Sequence, residues 1–317
     1  MKAVLEDNFT TGALHSRPEG HGRLTVNPAV ESIMPALLRS VGTAGVYART
    51  NLFEQVSEGL SLLISQHREP GTEVLSFPPV MSRQLLETSG YLKSFPHLLG
   101  CVSCLDGEEM EIREAVENDG WVANLKASEL VLAPAACYPV YALQAELGRL
   151  PKEGRVFDVS ADCFRHEATS EPGRLQSFRM REYVCLGTPT QALEFRAHWL
   201  TRAHELVESL KLPYKVAPAS DPFFGRGGQL AASLQMEQSL KFEMIIPIGS
   251  SPTACMSFNY HLDHFGSTWS LRSAEGAIAH TSCVAFGMDR LSLALFANHG
   301  VDLRLWPCSV LEKLSLG

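Results

Sequence analysis

Three observations predict an α+β chain in which helices pack around antiparallel strands. Two apolar or alternating runs, Val156 to Val159 and Tyr183 to Leu186, flank a charged stretch with a loop through Ser170, Glu171, Pro172 and Gly173, the pattern of a β-hairpin. Apolar residues recur at helical spacing over 27–41, 52–66 and 191–210. Strand-like runs, Phe242 to Ile248 and Met256 to Tyr260, follow. The 317 residues hold one large or two ordinary domains, and 45% hydrophobic with 20% charged content belongs to a globular protein with a sizeable core.

Each element has a local reason. Gly12, Pro18, Gly20 and Gly22 predict an irregular arm over about 1–25. Pro28 suits the first turn of the helix at 27–41. Phe77-Pro78-Pro79-Val80, a helical run through Gln84 and Leu86, and Gly90 to Pro96 read as strand, helix and turn. The helix at 191–210 ends before Pro213, and its His198 and His204 read as packing or surface residues. Asp221 to Gly228 predicts a loop and Gln229 to Ser239 a helix, together an insertion at about 221–239. Gly287-Met288-Asp289-Arg290-Leu291 heads a last apolar helix, where an arginine in the first turn favours an anion.

Composition excludes several classes. A net charge of −8 argues against broad capture of a nucleic-acid backbone. No run approaches the ~20 apolar residues of a membrane span, and no secretory h-region opens the sequence. Eight cysteines without framework spacing indicate a reducing cytoplasm. Cys101-x-x-Cys104 lacks a second pair or a nearby His-x-x-x-His and reads as two ordinary thiols.

The hairpin carries the chemistry. Phe164 to Glu182 crowds four arginines and three glutamates into nineteen positions around two phenylalanines. On a strand, alternation puts Phe164, His166 and Ala168 on one face and Arg165 with Glu167 on the other. Arg offers a fork for phosphate oxygens, Glu an acceptor for an amine, and Phe178 a ring for a base, an inventory suited to ATP; a solvated ion-pair face is the alternative. The order Phe164-Arg165-His166-Glu167, then Gly173-Arg174, Phe178 and Glu182, resembles motif 2 of the class II aminoacyl-tRNA synthetases.

That resemblance implies an antiparallel sheet flanked by helices and a single catalytic domain over 1–317. It implies that Arg165 bridges the amino acid carboxylate and the α-phosphate and that Glu167 reads the adenine amine. Arg174, with Leu175 beside it, would reach the outer phosphates while Phe178 stacks on adenine. Gly287 to Arg290 resembles motif 3, which sets Arg290 on the γ-phosphate. Lys241 and the stretch Ala254 to Asn259, with Ala254, Cys255, Met256 and Ser257 as the ATP contacts, fall where the family contacts ATP and metal, although Ile245 and Ala254 replace its usual acidic residues. The helices at 27–41 and 52–66 are candidates for motif 1 and a homodimer interface. Gly90 to Pro96 is similar to a seryl-tRNA synthetase segment.

Cys137, Glu182 and Cys283 match in order and context the Cys, Glu and Cys zinc ligands of atypical, methanogen-type seryl-tRNA synthetases and of the homologous amino acid:[carrier protein] ligases. Taken singly, each cysteine reads first as a small buried hydrophobe and only second as a ligand. As zinc ligands, two thiolates and the Glu182 carboxylate leave a fourth position for a substrate amine. The resemblance implies activation of a small amino acid, glycine or alanine, as its adenylate. Two acceptors stay open: the phosphopantetheine thiol of an acyl carrier protein, or tRNA. The missing heptad arm, acidic balance and the 221–239 insertion, a candidate docking element, point to the carrier without tRNA; an inactive paralogue is the non-enzyme alternative.

Overall fold

In the computed structural model the described residues are 30–167, 171–249 and 252–317. The expected arm at 1–25, Pro28, Ala168 and Ser170 lie outside them. The elements in order are α1 (Val30–Leu37), β1 (Leu38–Ser40), β2 (Tyr47–Arg49), α2 (Asn51–Ser65), β3 (Glu73–Ser76), β4 (Val80–Ser82), α3 (Arg83–Thr88), α4 (Tyr91–Ser94), β5 (Cys101–Leu105), α5 (Glu109–Glu117), β6 (Leu125–Leu132) and α6 (Tyr138–Leu147). Then come β7 (Arg155–Phe164), β8 (Ser177–Gly187), α7 (Pro189–Ser209), β9 (Lys215–Pro218), α8 (Gly225–Glu237), β10 (Lys241–Pro247), β11 (Pro252–Tyr260), α9 (His264–Thr268), β12 (His280–Gly287), α10 (Met288–His299) and α11 (Cys308–Lys313).

The main sheet has seven strands in the order β3-β7-β8-β12-β11-β10-β9. Only the β3–β7 pair in it is parallel; the others are antiparallel. Smaller sheets pair β1 with β2 and order β4-β6-β5. On one face of the main sheet α2, α7 and α10 bury Phe53, Val56, Leu60, Trp199, Ala203, Leu295 and Phe296 against Tyr183, Val284 and Phe286. On the other, α6 and α9 cover only part of the surface with Val140, Tyr141 and Phe265. The uncovered remainder of that face is where a ligand can reach the strands.

Local chemistry explains most boundaries. Thr50 accepts from the Phe53 amide to start α2, and Thr188 with Gln191 forms a capping box for α7. Three expectations are corrected. The helix expected over 27–41 stops at Leu37, because Leu38 to Ser40 pairs with β2 and the ladder outcompetes helical periodicity. The hairpin strand ends at Phe164, so Arg165 to Glu167 follow it in a turn, with the Glu167 amide donating to the Arg165 carbonyl at 2.7 Å. Helix α8 begins at Gly225 instead of Gln229. Its glycines read as a loop, yet a Cβ on Gly228 would lie 2.6 Å from the Phe223 backbone, so the residue permits a tight entry into the helix.

Candidate active site

Strand register gathers the site onto one face. Glu182 on β8 pairs with Ala285 on β12, Ala285 with Ser257 on β11, and Ser257 with Glu243 on β10. One pleat away, Cys283 pairs with Asn259 and Asn259 with Lys241. Side chains two apart on a strand share a face, so these residues project together. They line a cavity of about 700 Å³, within the usual range for small-molecule sites.

Arg165, Glu167, Leu175, Phe178, Lys241, Ala254 to Ser257 and Arg290 all line this cavity. Arg165 is anchored by an Nε donation to the Pro134 carbonyl at 3.0 Å, and its guanidinium lies 5.5 Å over the Phe178 ring. Arg290 donates through Nε to the Gly173 carbonyl at 2.7 Å and through Nη1 to Ala254 at 2.9 Å. The fork is thereby held in one plane, while burial first, with the Arg165 cation also contributing, lowers its pKa. Arg174 does not reach the cavity wall: it donates to Glu167 at 3.1 Å and to Glu171 at 3.1 Å. An incoming nucleotide would exchange these half-exposed contacts, which are weak.

Lys241 is not free. Its ammonium contacts Asp221 at 2.6 Å and Glu243 at 3.0 Å, and Asp221 also accepts from Gln235 of α8. Burial opposes both charges, but their mutual attraction outweighs it: the Lys241 pKa is raised and that of Asp221 lowered. This pairing ties the insertion to the sheet. Asp221, Pro222, Phe223, Ala231, Leu234 and Gln235 therefore form a wall of the cavity, a role the sequence reading did not give them.

In the same cavity Cys137, Glu182 and Cys283 meet, all buried. Glu182 Oε1 accepts from the amides of Ala136 at 2.8 Å and Cys137 at 3.1 Å, where the chain enters α6. Burial first, and then Cys283, push the Glu182 carboxyl up to about 8. The hydrogen bond shared with Cys283, then burial and Glu182, hold Cys137 above the usual thiol range. The same bond draws Cys283 the opposite way, against burial and with help from His261 and Asn259. Among the described residues no group of three or more His, Cys, Asp or Glu side chains is set around a common point to hold a metal. The donor set nonetheless fits zinc chemically: two thiols and a carboxyl are buried together, Cys137 and Glu182 are deprotonated only at a cost, and these are groups a dication stabilises.

Sequence reasoning missed Glu243 and His261, which also line the cavity. The signal for Glu243 was alternation: Lys241 and Glu243 are two apart on a strand whose faces the sequence left unassigned. Outside the cavity, Cys101 and Cys104 are exposed thiols, His198 faces Glu69 at 3.5 Å, and His204 bonds Tyr214 at 2.7 Å.

Solved structures define the class. Methanopyrus kandleri seryl-tRNA synthetase, in complex with an A. aeolicus tRNA, superposes with a TM-score of 0.78 at 21% identity, covering 95% of this chain and 62% of that one. Pyrococcus horikoshii seryl-tRNA synthetase complexed with ATP gives 0.66 at 15% identity, over 92% and 63%. The fold is that of the class II aminoacyl-tRNA synthetases, and the chain spans less than two thirds of either structure. No protein-family model matches the chain. Two Bradyrhizobium diazoefficiens proteins, amino acid--[acyl-carrier-protein] ligases 1 and 2, are 55% and 51% identical over 293 residues, covering 90% of this chain and 90% and 88% of theirs. The chain belongs to this ligase family. The type-2 serine--tRNA ligase of Methanopyrus kandleri is more distant, at 27% identity over 78% of this chain and 52% of that protein.

Proposed function

We propose that this enzyme activates a small amino acid, glycine or alanine, with ATP and passes it to the phosphopantetheine thiol of an acyl carrier protein. The observation that carries the reading is one cavity over the sheet that Arg165, Phe178 and Arg290 line together with Cys137, Glu182 and Cys283. In the first step a carboxylate oxygen attacks the α-phosphorus and pyrophosphate leaves. No general base is needed, because the nucleophile is already an anion. The barrier is charge repulsion and orientation, which Arg165, Arg290 and Mg2+ brought with the nucleotide would relieve. In the second step the carrier thiol attacks the acyl carbon and AMP leaves.

Each residue takes a part in this reading. Arg165 bridges the two reactants, Glu167 accepts from the adenine amine, and Phe178 with Leu175 borders the base. Arg174, released from Glu167 and Glu171, and Arg290 meet the outer phosphates, while Lys241 and Ala254 to Ser257 border the nucleotide. Cys137, Glu182 and Cys283 would hold one zinc ion, which when bound supplies a Lewis-acid position for the substrate amine. That selects amino acids over hydroxy acids.

The carrier is assigned to α8, whose exposed Phe224, Arg226 and Leu230 stand beside the cavity wall made by the same helix. A homodimer and a cytoplasmic site belong to the proposal. The second copy is assigned to the segments at 27–41 and 52–66, where Val41 and Leu62 are exposed apolar side chains. Among the described residues no helix is long and apolar enough to cross a membrane.

The test is incubation with ATP, zinc and each amino acid, with holo carrier or tRNA as acceptor, followed by mass measurement. A glycyl or alanyl gain on the carrier is expected. Serine-dependent pyrophosphate exchange with mass gain on tRNA refutes the reading in favour of a seryl-type synthetase; no exchange with any amino acid refutes it in favour of an inactive paralogue.

A further inference from the structure

Cys283 differs from Cys137 in its surroundings. Asn259 Nδ2 stands 3.3 Å from its sulfur, and His261 Nε2 stands 3.7 Å away. The first is an N–H···S bond donated by Asn259, and the second is within reach of a hydrogen bond between nitrogen and sulfur. Asn259 is in cross-strand register with Cys283, so its side chain is delivered by the sheet itself. His261 lies just past the end of β11, where three contacts hold the residue and two of them its ring. Its amide donates to the Thr281 carbonyl at 2.9 Å, its Nδ1 contacts Thr281 Oγ1 at 3.0 Å, and Phe265 packs edge-on with centroids 5.1 Å apart. The next residue, Leu262, has φ +53°, in the left-handed region that non-glycine residues seldom adopt. Thr281 is fully buried, so its hydroxyl has no solvent alternative to the ring.

We propose that His261 is a positioning residue for the metal centre: its ring, held through Nδ1 by Thr281 Oγ1, presents Nε2 to the Cys283 sulfur, and because a metal-binding thiolate can only accept, that nitrogen meets it as an N–H donor. Asn259 supplies a second N–H to the same atom. Two donors on one thiolate fix the direction of its remaining lone pairs and temper its donation, so Cys283 is the oriented ligand of the pair and Cys137 the adaptable one. Partners of this kind typically change metal affinity about 10–100-fold when removed. The inference rests on the zinc reading above, and neither His261 nor Asn259 is asked to bind zinc directly.

The experiment measures metal affinity by chelator competition, and the cobalt-substituted protein's thiolate-to-metal absorption band, in the full chain without substrates. The parent is expected to bind about one zinc per chain. His261→Leu should bind about 10–100-fold more weakly and shift the cobalt band to longer wavelength, as a thiolate without its donor does. His261→Gln, which places an N–H near the Nε2 position, should restore both. Thr281→Val, which keeps the ring but removes its partner, should move both readouts in the direction of His261→Leu, and it serves as the deciding variant if His261→Leu does not fold. Parent affinity and an unshifted band in both His261→Leu and Thr281→Val overturn the role of His261 while leaving zinc in place. A parent that binds no zinc overturns the zinc reading and this inference together.

Discussion

Replacing Arg290 with lysine keeps the charge and removes the fork. In the folded protein Nε and Nη1 are each committed to a carbonyl, Gly173 at 2.7 Å and Ala254 at 2.9 Å, which leaves Nη2 as the group available to a ligand in the cavity. A lysine ammonium is a point charge on a flexible stem and cannot reproduce two coplanar bonds. One orphaned carbonyl costs about 1–3 kcal/mol of stability. The larger effect is on chemistry: losing one preorganised donor to transition-state charge costs about 10²–10³ in rate, roughly 2.7–4 kcal/mol. Glycine- or alanine-dependent exchange of labelled pyrophosphate into ATP reads the second, and urea unfolding the first. Exchange within about threefold of the parent in a folded Arg290→Lys protein would refute the placement of this guanidinium at the nucleotide, since about threefold is only ~0.7 kcal/mol.

Other expectations concern separate parts of the molecule. Cys137→Ala and Cys283→Ala should each lose zinc and activation together; metal analysis finding full zinc in both ends that assignment. Leu230→Glu on the exposed side of α8 should leave pyrophosphate exchange unchanged while slowing carrier loading about tenfold or more, a loss of ~1.4 kcal/mol, and unchanged loading would remove α8 from docking. Asp158 is buried and accepts from Arg181 at 2.8 and 2.6 Å and from Arg68 at 2.9 and 2.7 Å. Asp158→Asn leaves the buried Arg181 uncompensated and should destabilise by roughly 3–5 kcal/mol, read from the urea midpoint. Burial alone would raise the Asp158 pKa, but the Arg181 and then Arg68 interactions outweigh it and lower it. Its stabilisation is therefore present above the ordinary carboxylate pKa and is lost as pH falls through the lower folded value. The parent should lose stability in that acidic window and Asp158→Asn should not; equal slopes contradict the sign.

Much of this was legible in residue order. The spacing from Phe164 to Glu182 gave a hairpin, and the stretch Gly287 to Arg290 gave a helix head, because turn residues, alternation and caps act over a few positions. The amphipathic stretches gave α2 and α7 to within two residues at each end. Where the reading missed, a distant partner had intervened. Leu38 to Ser40 left the helix to pair with β2, and Gly225 to Gly228 joined one because Phe223 closes on Gly228.

The sequence by itself determined the chemical inventory: which cations, rings, thiols and carboxylates exist, and which lie two apart on a strand. It could not determine which strands are neighbours. Cys137, Glu182 and Cys283 are far apart in the chain and meet only because α6 enters over β8 and β8 is flanked by β12. The same strand order brought Asp221 down onto Lys241 and turned an apparent surface insertion into a wall of the cavity. Register and strand order are settled by burying apolar faces over the whole sheet, a sum over distant residues that no local window contains.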